Sequence, residues 1–238
     1  MPPRVEALSL PHQDLVPSPS EDAMAWSLAR GPAGIRLAVA DGAGESAFAG
    51  LWARILVRAF AAGTWDGDPA STALATLQAR WRRLVERRPL AWHQAEKVRE
   101  GAFATFLGLT LRPHGRVWRW RARATGDACL VWAPAGSPAR AFPQGNPPLR
   151  PQALGTRPAP PPPCTDMAGD ARPGDAFLLL TDAVAAWYLG SPDRRLLRLL
   201  AIADAGPAAF CAWAAAERAQ GRLRNDDLTL LSLRLEAG

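Results

Sequence analysis

The sequence predicts an α+β fold built on antiparallel sheets, and three observations carry that prediction. Strand-like and helix-like stretches come in runs rather than in strict alternation, so hairpins connect neighbouring strands. From Val117 to Ala124 the residues alternate, with Trp118, Trp120, Ala122 and Ala124 on one face and Arg119, Arg121 and Arg123 on the other. From Ser46 to Ala62, Phe48, Leu51, Trp52, Ile55, Leu56, Ala59 and Phe60 recur at helical spacing while Arg54 and Arg58 face away.

Taken in order, residues 1–20 mix proline with polar residues without a period and predict an extended arm. Ala23 to Ala29 and Ile35 to Ala40 read as strands joined by a turn at Gly31 to Gly34. The Ser46–Ala62 helix follows. A second helix spans about Pro69 to Arg87, with Leu74, Leu77, Trp81, Leu84 and Val85 on one side. Pro89 interrupts it before a shorter helix to Arg99. A meander comes next: Phe103 to Leu111, a turn at Pro113-His114-Gly115, Val117 to Ala124, a turn at Gly126, and Ala128 to Ala133. Pro143 to Asp175, with four consecutive prolines at Pro160 to Pro163, predicts a long irregular loop of polyproline character. It reads as an insertion within a single domain of residues 1–238, because neither flank has enough elements for a core of its own. Ala176 to Thr181 is a buried strand. Helices at Ala183 to Leu189, Asp193 to Ala203 and Pro207 to Gln220 follow, and Leu228 to Leu235 closes the chain as a strand.

Composition narrows the function classes. The 238 residues are 48% apolar and 21% charged, as in folded rather than disordered chains. The formal charge of +6 rests on arginine, Lys97 being the only lysine, and the arginines are scattered without a dense stripe. Nucleic acid is therefore a disfavoured partner, and the Trp118/Trp120 face reads as core rather than a base-stacking platform. Neither a signal peptide nor a membrane span is predicted, since no apolar stretch follows the first charge and no run of about eighteen uncharged apolar residues exists. Cys129, Cys164 and Cys211 make no Cys-x-x-Cys pair, which excludes a disulfide framework and a zinc knuckle and points to a reducing cytoplasm. His12, His93 and His114 show no ligand spacing and read as surface residues.

The acids are more informative. Asp41 ends one predicted strand and Asp182 another. Asp226 and Asp227 precede the last strand, Asp127 precedes Ala128, and Glu21 and Asp22 precede Ala23. A carboxylate abutting a buried strand is costly unless compensated. Acids at five strand termini point to convergence on a hard cation such as Mg²⁺ or Mn²⁺.

The local words around these acids resemble the metal-dependent type-2C protein phosphatase family (PPM), in particular its compact bacterial members. Ser20-Glu21-Asp22-Ala23 is similar to the family's opening Asn/Ser-Glu-Asp. Val39-Ala40-Asp41-Gly42-Ala43-Gly44 resembles its Asp-Gly-x-Gly signature, and Ala104-Thr105-Phe106-Leu107-Gly108 its Gly-Ala/Ser-Thr strand. Gly126-Asp127-Ala128 resembles Gly-Asp-Ser. Gly174-Asp175 through Leu180-Thr181-Asp182-Ala183 resembles Leu-x-Ser/Thr-Asp-Gly, and Asn225-Asp226-Asp227-Leu228-Thr229 the terminal Asp-Asn/Asp-x-Thr.

The resemblance implies a four-layer αββα sandwich of two antiparallel sheets flanked by helices. It implies hydrolysis of phosphoserine and phosphothreonine on proteins, opposing a bacterial Ser/Thr kinase, with two Mn²⁺ or Mg²⁺ ions and a third, weaker position. Asp41 would bridge the two ions and Gly42 would lend its carbonyl. Asp182 and Asp226 would complete one shell, Glu21 would reach the second ion through water, and Asp127 would serve the extra position. Asp41 and Asp182 would carry the catalysis, with Asp22 and Asp227 standing behind the ligands. Two such ions lower the pKa of a shared water and neutralise phosphoryl oxygens.

Three positions depart from the family pattern. Ala43 stands where many members have a proton-donating His, Val16 to Pro19 lacks the usual phosphate-holding arginine, and Ala183 replaces a glycine. These departures keep a catalytically weak, phosphatase-like binding module as the alternative. A dinucleotide fingerprint also fits Gly42-Ala43-Gly44-Glu45-Ser46-Ala47. Asp41 opposes it by repelling a pyrophosphate, as does the want of an acid-terminated strand about twenty residues on. Phe48 breaks a G-x-S-x-G nucleophile elbow.

Overall fold

The computed structural model describes residues 3–13, 19–28, 34–44, 46–90, 92–142 and 152–236. Its elements in chain order begin with β1 (Arg4–Leu10), β2 (Ala23–Leu28), β3 (Ile35–Ala40), α1 (Ala49–Ala61), α2 (Thr72–Glu86) and α3 (Trp92–Glu100). Then come β4 (Phe103–Ala104), β5 (Phe106–His114), β6 (Val117–Thr125), β7 (Cys129–Ala133), β8 (Arg140–Phe142), β9 (Leu154–Gly155) and β10 (Thr165–Ala171). β11 (Ala176–Leu180), α4 (Asp182–Leu189), α5 (Pro192–Ala205), α6 (Pro207–Ala219) and β12 (Leu228–Arg234) complete it.

Two five-stranded sheets form, in the orders β1-β12-β11-β7-β8 and β10-β6-β5-β3-β2, and a two-stranded β4-β9 ribbon stands beside them. All strand pairings among the described residues are antiparallel. A dinucleotide fold needs a parallel β-α-β unit, so that reading of Gly42 to Ala47 falls.

Side-chain alternation sorts the strands into four layers. Leu37 and Val39 of β3, Leu107, Leu109 and Leu111 of β5, Phe177 and Leu179 of β11, and Leu231 and Leu233 of β12 fill the space between the sheets. Their neighbours point the other way. Ala38 and Ala40 meet Trp52, Leu56 and Phe60 of α1, while Leu178, Leu180, Leu228 and Leu230 meet α4, α5 and α6. The result is the αββα sandwich. Each buried Leu, Phe or Val contributes about 1.5–3 kcal/mol through apolar burial. Close packing fixes particular residues. A Cβ on Gly108 of β5 would come within 2.6 Å of the Phe60 ring, so only glycine lets α1 lie on this sheet. Trp120 packs edge-on against Trp132 and Phe177, at 5.1 and 5.5 Å between ring centres, and is a core residue as expected.

Two predicted segments differ. The arm of residues 1–20 contains β1, an edge strand paired along its whole length with β12. Val5 and Ala7 pack between the sheets while Leu8 and Leu10 pack towards the helices, an alternation masked by the surrounding prolines and polar residues. The loop of residues 143–175 holds β9 and β10; residues 143–151 lie outside the described residues, as does the 29–33 part of the predicted hairpin turn. β10 reads as polar, Thr165-Asp166-Met167-Ala168-Gly169-Asp170-Ala171, because it is an edge strand whose partners are charges. Its register sets Asp166 opposite Arg123 and Asp170 opposite Arg119.

Smaller boundaries move for local reasons. α2 starts at Thr72 because the Ser71 hydroxyl accepts the Ala73 N–H at 3.2 Å. β5 runs on through Pro113 because β3 has ended by Leu111, which leaves only one ladder to satisfy. α1 starts after Phe48, which adopts left-handed φ 58, ψ 35. That conformation costs roughly 1–2 kcal/mol for a bulky residue. No helix among the described residues is long and apolar enough to cross a membrane.

Candidate metal centre

Register alone brings the predicted acids to one end of the sandwich. Ala23 pairs with Ala40, so Asp22 and Asp41 flank one hydrogen-bonded pair of strand ends. Leu180 pairs with both Leu230 and Cys129, so Asp182, Asp227 and Asp127 all project just past the matching ends of β11, β12 and β7. A cavity of about 310 Å³ opens there, walled by Glu21, Asp41, Gly42, Asp226 and Asp227, with His12 on its rim.

The loop after β3 is shaped to present Asp41. The Asp41 carbonyl accepts the Thr105 N–H at 2.8 Å, and the Ala43 N–H donates to the Phe103 carbonyl at 2.9 Å. These bonds bracket an isolated bridge between Gly42 and Ala104, so the bonds are made by the neighbours and the Gly42 carbonyl takes no part in them. Gly42 is required, because a Cβ would lie 2.7 Å from the Ala49 carbonyl carbon at the start of α1.

The electrostatics of the cluster are those of uncompensated like charges. Burial raises the Asp41 carboxyl most, then Asp22, Asp182, Asp226 and Asp127 raise it further, to about 9. Asp22 is buried and pushed up to about 7, chiefly by desolvation. Burial also lifts Glu21, Asp127 and Asp226, each with neighbouring acids adding to it. Oδ1 of Asp22 and Oδ1 of Asp127 are buried with no hydrogen-bond partner among the described residues. Charge-rich oxygens left so are what a hard divalent ion satisfies, and the donor set of carboxylates plus a backbone carbonyl suits Mg²⁺ or Mn²⁺. Among the described residues no three acids, histidines or cysteines close into a finished ligand shell.

The other acids are held by specific partners. Asp22 Oδ2 accepts the Thr181 hydroxyl at 2.8 Å, and Thr181 Oγ1 accepts the Thr229 N–H at 3.0 Å, which ties the two sheets together behind the cavity. Asp227 is a staple. Its Oδ1 accepts the His12 backbone N–H at 2.8 Å and meets His12 Nδ1 at 2.9 Å, and its Oδ2 accepts the Glu21 N–H at 2.6 Å. Burial alone would raise Asp227, but these hydrogen bonds outweigh it and leave the group below its ordinary value. Asp182 opens α4, where the Ala183 N–H donates to Oδ1 and Arg224 Nη2 donates to Oδ2. Asp226 accepts the Asp227 N–H on Oδ1, and its carbonyl is held by Arg218 Nη2 of α6 at 2.6 Å.

Glu21, Asp41, Gly42, Asp226 and Asp227 thus share one cavity, while Asp22, Asp182 and Asp127 lie close enough to raise the Asp41 carboxyl without lining it. His12 is a correction: it is half-buried and bound to Asp227, not a bare surface residue. His114 is exposed on the far turn, and the His93 side chain lies outside the described part. Arg224 and Thr181 were not singled out from the sequence. Arg224 carries a legible signal all the same, as the one cation adjoining Asn225-Asp226-Asp227. Of Val16 to Pro19, only Pro19 is described.

A family model described as Stage II sporulation protein E (SpoIIE) matches residues 31–236. No curated protein matches the chain. Among solved structures, the chain is similar to the catalytic domain of the serine threonine protein phosphatase PstP in complex with two manganese ions. That match has 21% identity, 99% of each chain covered and a TM-score of 0.61. PppA, a key regulatory component of T6SS in Pseudomonas aeruginosa, matches at 21% identity over 98% of this chain and 97% of its own, with a TM-score of 0.57. RsbX in complex with magnesium matches at 15% identity over 98% and 96%, again with a TM-score of 0.57. At such identities these likenesses establish the fold.

Proposed function

Since this chain belongs to the Stage II sporulation protein E (SpoIIE) family and has the type-2C phosphatase fold, we propose that it hydrolyses phosphoserine and phosphothreonine on proteins with divalent metal. The observation that carries the reading is Asp41, half-buried, raised to about 9 and surrounded by four other acids that no internal cation fully balances. Asp41, the Gly42 carbonyl, Asp182, Asp226 and Glu21 would hold a pair of Mn²⁺ or Mg²⁺ ions, and Asp127 a further one. Bound there, the ions would supply an activated water and charge neutralisation at the phosphoryl oxygens. Solved structures of the same fold hold manganese or magnesium, which supports the metal class.

The chain's own residues prepare the rest. Asp22 and Thr181 lock the sheets so that β2 begins where β11 ends. Asp227 fixes Glu21 and the His12 loop against the start of β12. Arg224 neutralises Asp182 until that carboxylate is needed as a ligand. The substrate class would be a phosphorylated protein, the partner a Ser/Thr kinase or its target, and the compartment the cytoplasm.

A second reading, a phosphatase-like binding module, is favoured by one observation. Position 43 is alanine, so it brings no proton donor to the cavity. Phosphate release from p-nitrophenyl phosphate and a phosphothreonine peptide at millimolar Mn²⁺ separates the two. Turnover abolished by EDTA and reduced about 10²–10³-fold by Asp182→Ala is the expected result. No turnover by the wild-type chain would leave the binding module.

A further inference from the structure

A second cavity, of about 510 Å³, adjoins the metal centre and shares Glu21, Gly44 and His12 with it. Its far wall is basic, with Arg54 of α1 and Arg88, just beyond the end of α2, both exposed. Neither arginine has a carboxylate partner among the described residues. Other exposed arginines, Arg58, Arg80 and Arg112 among them, also have none among the described residues, but Arg54 and Arg88 stand together on one cavity wall next to the metal centre. Two unpaired guanidinium groups beside a cluster of acids point to an anion that comes from outside.

The backbone is arranged to hold them there. Gly50 has no side chain, and a Cβ at that point would meet the Glu21 Cα at 3.1 Å and Arg54 Nη1 at 3.2 Å. The absence of that carbon lets the Arg54 guanidinium lie close to the segment before β2 that carries Glu21. Arg88 sits 5.0 Å over the centre of the Phe48 ring. Phe48 is the only non-glycine residue with positive φ among the described residues. Its left-handed conformation sits at the loop-to-helix junction of the cavity wall and places the ring beneath Arg88. Its carbonyl also accepts the Leu51 and Trp52 N–H groups at the start of α1. Strain kept at a cavity wall, supporting an unpaired charge, is the pattern of a ligand site rather than of a solvated face.

We propose that this pocket binds an acidic side chain of the substrate segment next to the phosphorylated residue, so that the enzyme favours acidic phosphosites. The inference rests on the phosphatase reading. With the phosphoryl group at the metal centre, an extended peptide advances about 3.3 Å per residue, so the pocket serves a Glu or Asp within about three residues. Arg54 and Arg88 provide forked donors suited to a carboxylate.

The test uses the full chain with Mn²⁺ and three phosphothreonine peptides flanked by Glu, Ala or Lys. Wild type is expected to show KM about fivefold lower for the Glu peptide than for the Ala peptide, and highest for the Lys peptide. The Arg54→Glu/Arg88→Glu variant is expected to reverse that order, and Arg54→Lys/Arg88→Lys to restore part of it. Fluorescence anisotropy of the same peptides reads the preference without turnover, and circular dichroism checks the fold of each variant. Equal KM and equal binding for the three peptides in wild type would overturn the proposal, as would an unchanged preference in the Glu variant. Wild-type turnover of p-nitrophenyl phosphate, which has no flank, reports on the phosphatase reading separately.

Discussion

Two acids in this molecule sit in opposite company. Glu217 of α6 is buried, and every oxygen is engaged. Trp187 Nε1 donates to it at 2.9 Å, Arg222 Nε at 2.7 Å and Arg198 Nη1 lies at 3.0 Å. Arg222 first, with Trp187 and Arg198 after it, outweighs burial and draws the carboxyl down to about 2. Asp41 is surrounded by acids and is driven up to about 9. The first acid is satisfied by the fold and reads as structure. The second is left unsatisfied by the fold and reads as function, because the sandwich has placed charge there without placing its compensation.

The contrast breaks most easily at Glu217. Replacing it with alanine leaves Trp187 Nε1 buried and three neighbouring groups without their acceptor. The expected loss is about 3 kcal/mol, discounted for the half-exposed arginines, and readable as a lowered urea midpoint. Its contribution is present above the ordinary carboxyl pKa near 4.5 and fades as pH falls towards about 2. A loss under 0.5 kcal/mol would mean that the arginines are screened and the comparison is empty.

Asp41 should behave with the opposite sign. Its folded pKa is raised, so the folded metal-free protein binds more protons than the unfolded chain between about 3.8 and 9. Metal-free stability should therefore fall as pH rises through that window, with Asp22 adding the same slope up to about 7. Asp41→Asn should raise the metal-free melting temperature by a few degrees at pH 8, roughly the effect of 1 kcal/mol, while removing turnover. Saturating Mn²⁺ should flatten the wild-type pH dependence. A melting temperature that climbs with pH in EDTA would sink this account of the cluster.

The same contrast explains what was legible in the sequence. Acids at strand ends could be read because chain position is sequence information, and antiparallel pairing then fixes the level at which each strand ends. The antiparallel α+β class followed from patterns such as the alternation of Val117 to Ala124, whereas the four layers were implied by the family resemblance and are built in the fold by alternations such as Leu37-Ala38-Val39-Ala40. What escaped was pairing between distant residues. β1 hid because its partner β12 lies more than two hundred residues away. β10 hid because its apolar content is low and its stabilising partners are the arginines of β6. His12 looked like a surface residue because Asp227 stands 215 positions away. Arg54 and Arg88 share a wall only once α1 and α2 have packed.

Arg224 sharpens the comparison at a smaller scale. It is the internal cation nearest to balancing the cluster, bonded to Asp182 and lowering Asp127 and Asp226 in competition with their burial. An incoming ion must share or displace it. Arg224→Gln should tighten Mn²⁺ binding about three- to fivefold by calorimetry, the scale of one exposed ion pair. Weaker binding would assign Arg224 the opposite part, that of orienting Asp182.

The smallest effect is expected where charges are both matched and exposed. On the outer face of β6 and β10, Arg121 and Arg123 each donate to Asp166 at 2.9 Å, and Arg119 faces Asp170 at 4.0 Å. Arg119 and Asp170 are both mostly exposed, so water and salt screen the pair. Arg119→Ala should change stability by less than about 0.5 kcal/mol. Arg123 is only 13% exposed and bridges Asp166 and Asp66, so Arg123→Ala should cost clearly more. If a urea titration put the two variants level, pairing across β6 and β10 would set the strand register without stabilising the sheet, and burial would no longer rank the acids and bases of this fold.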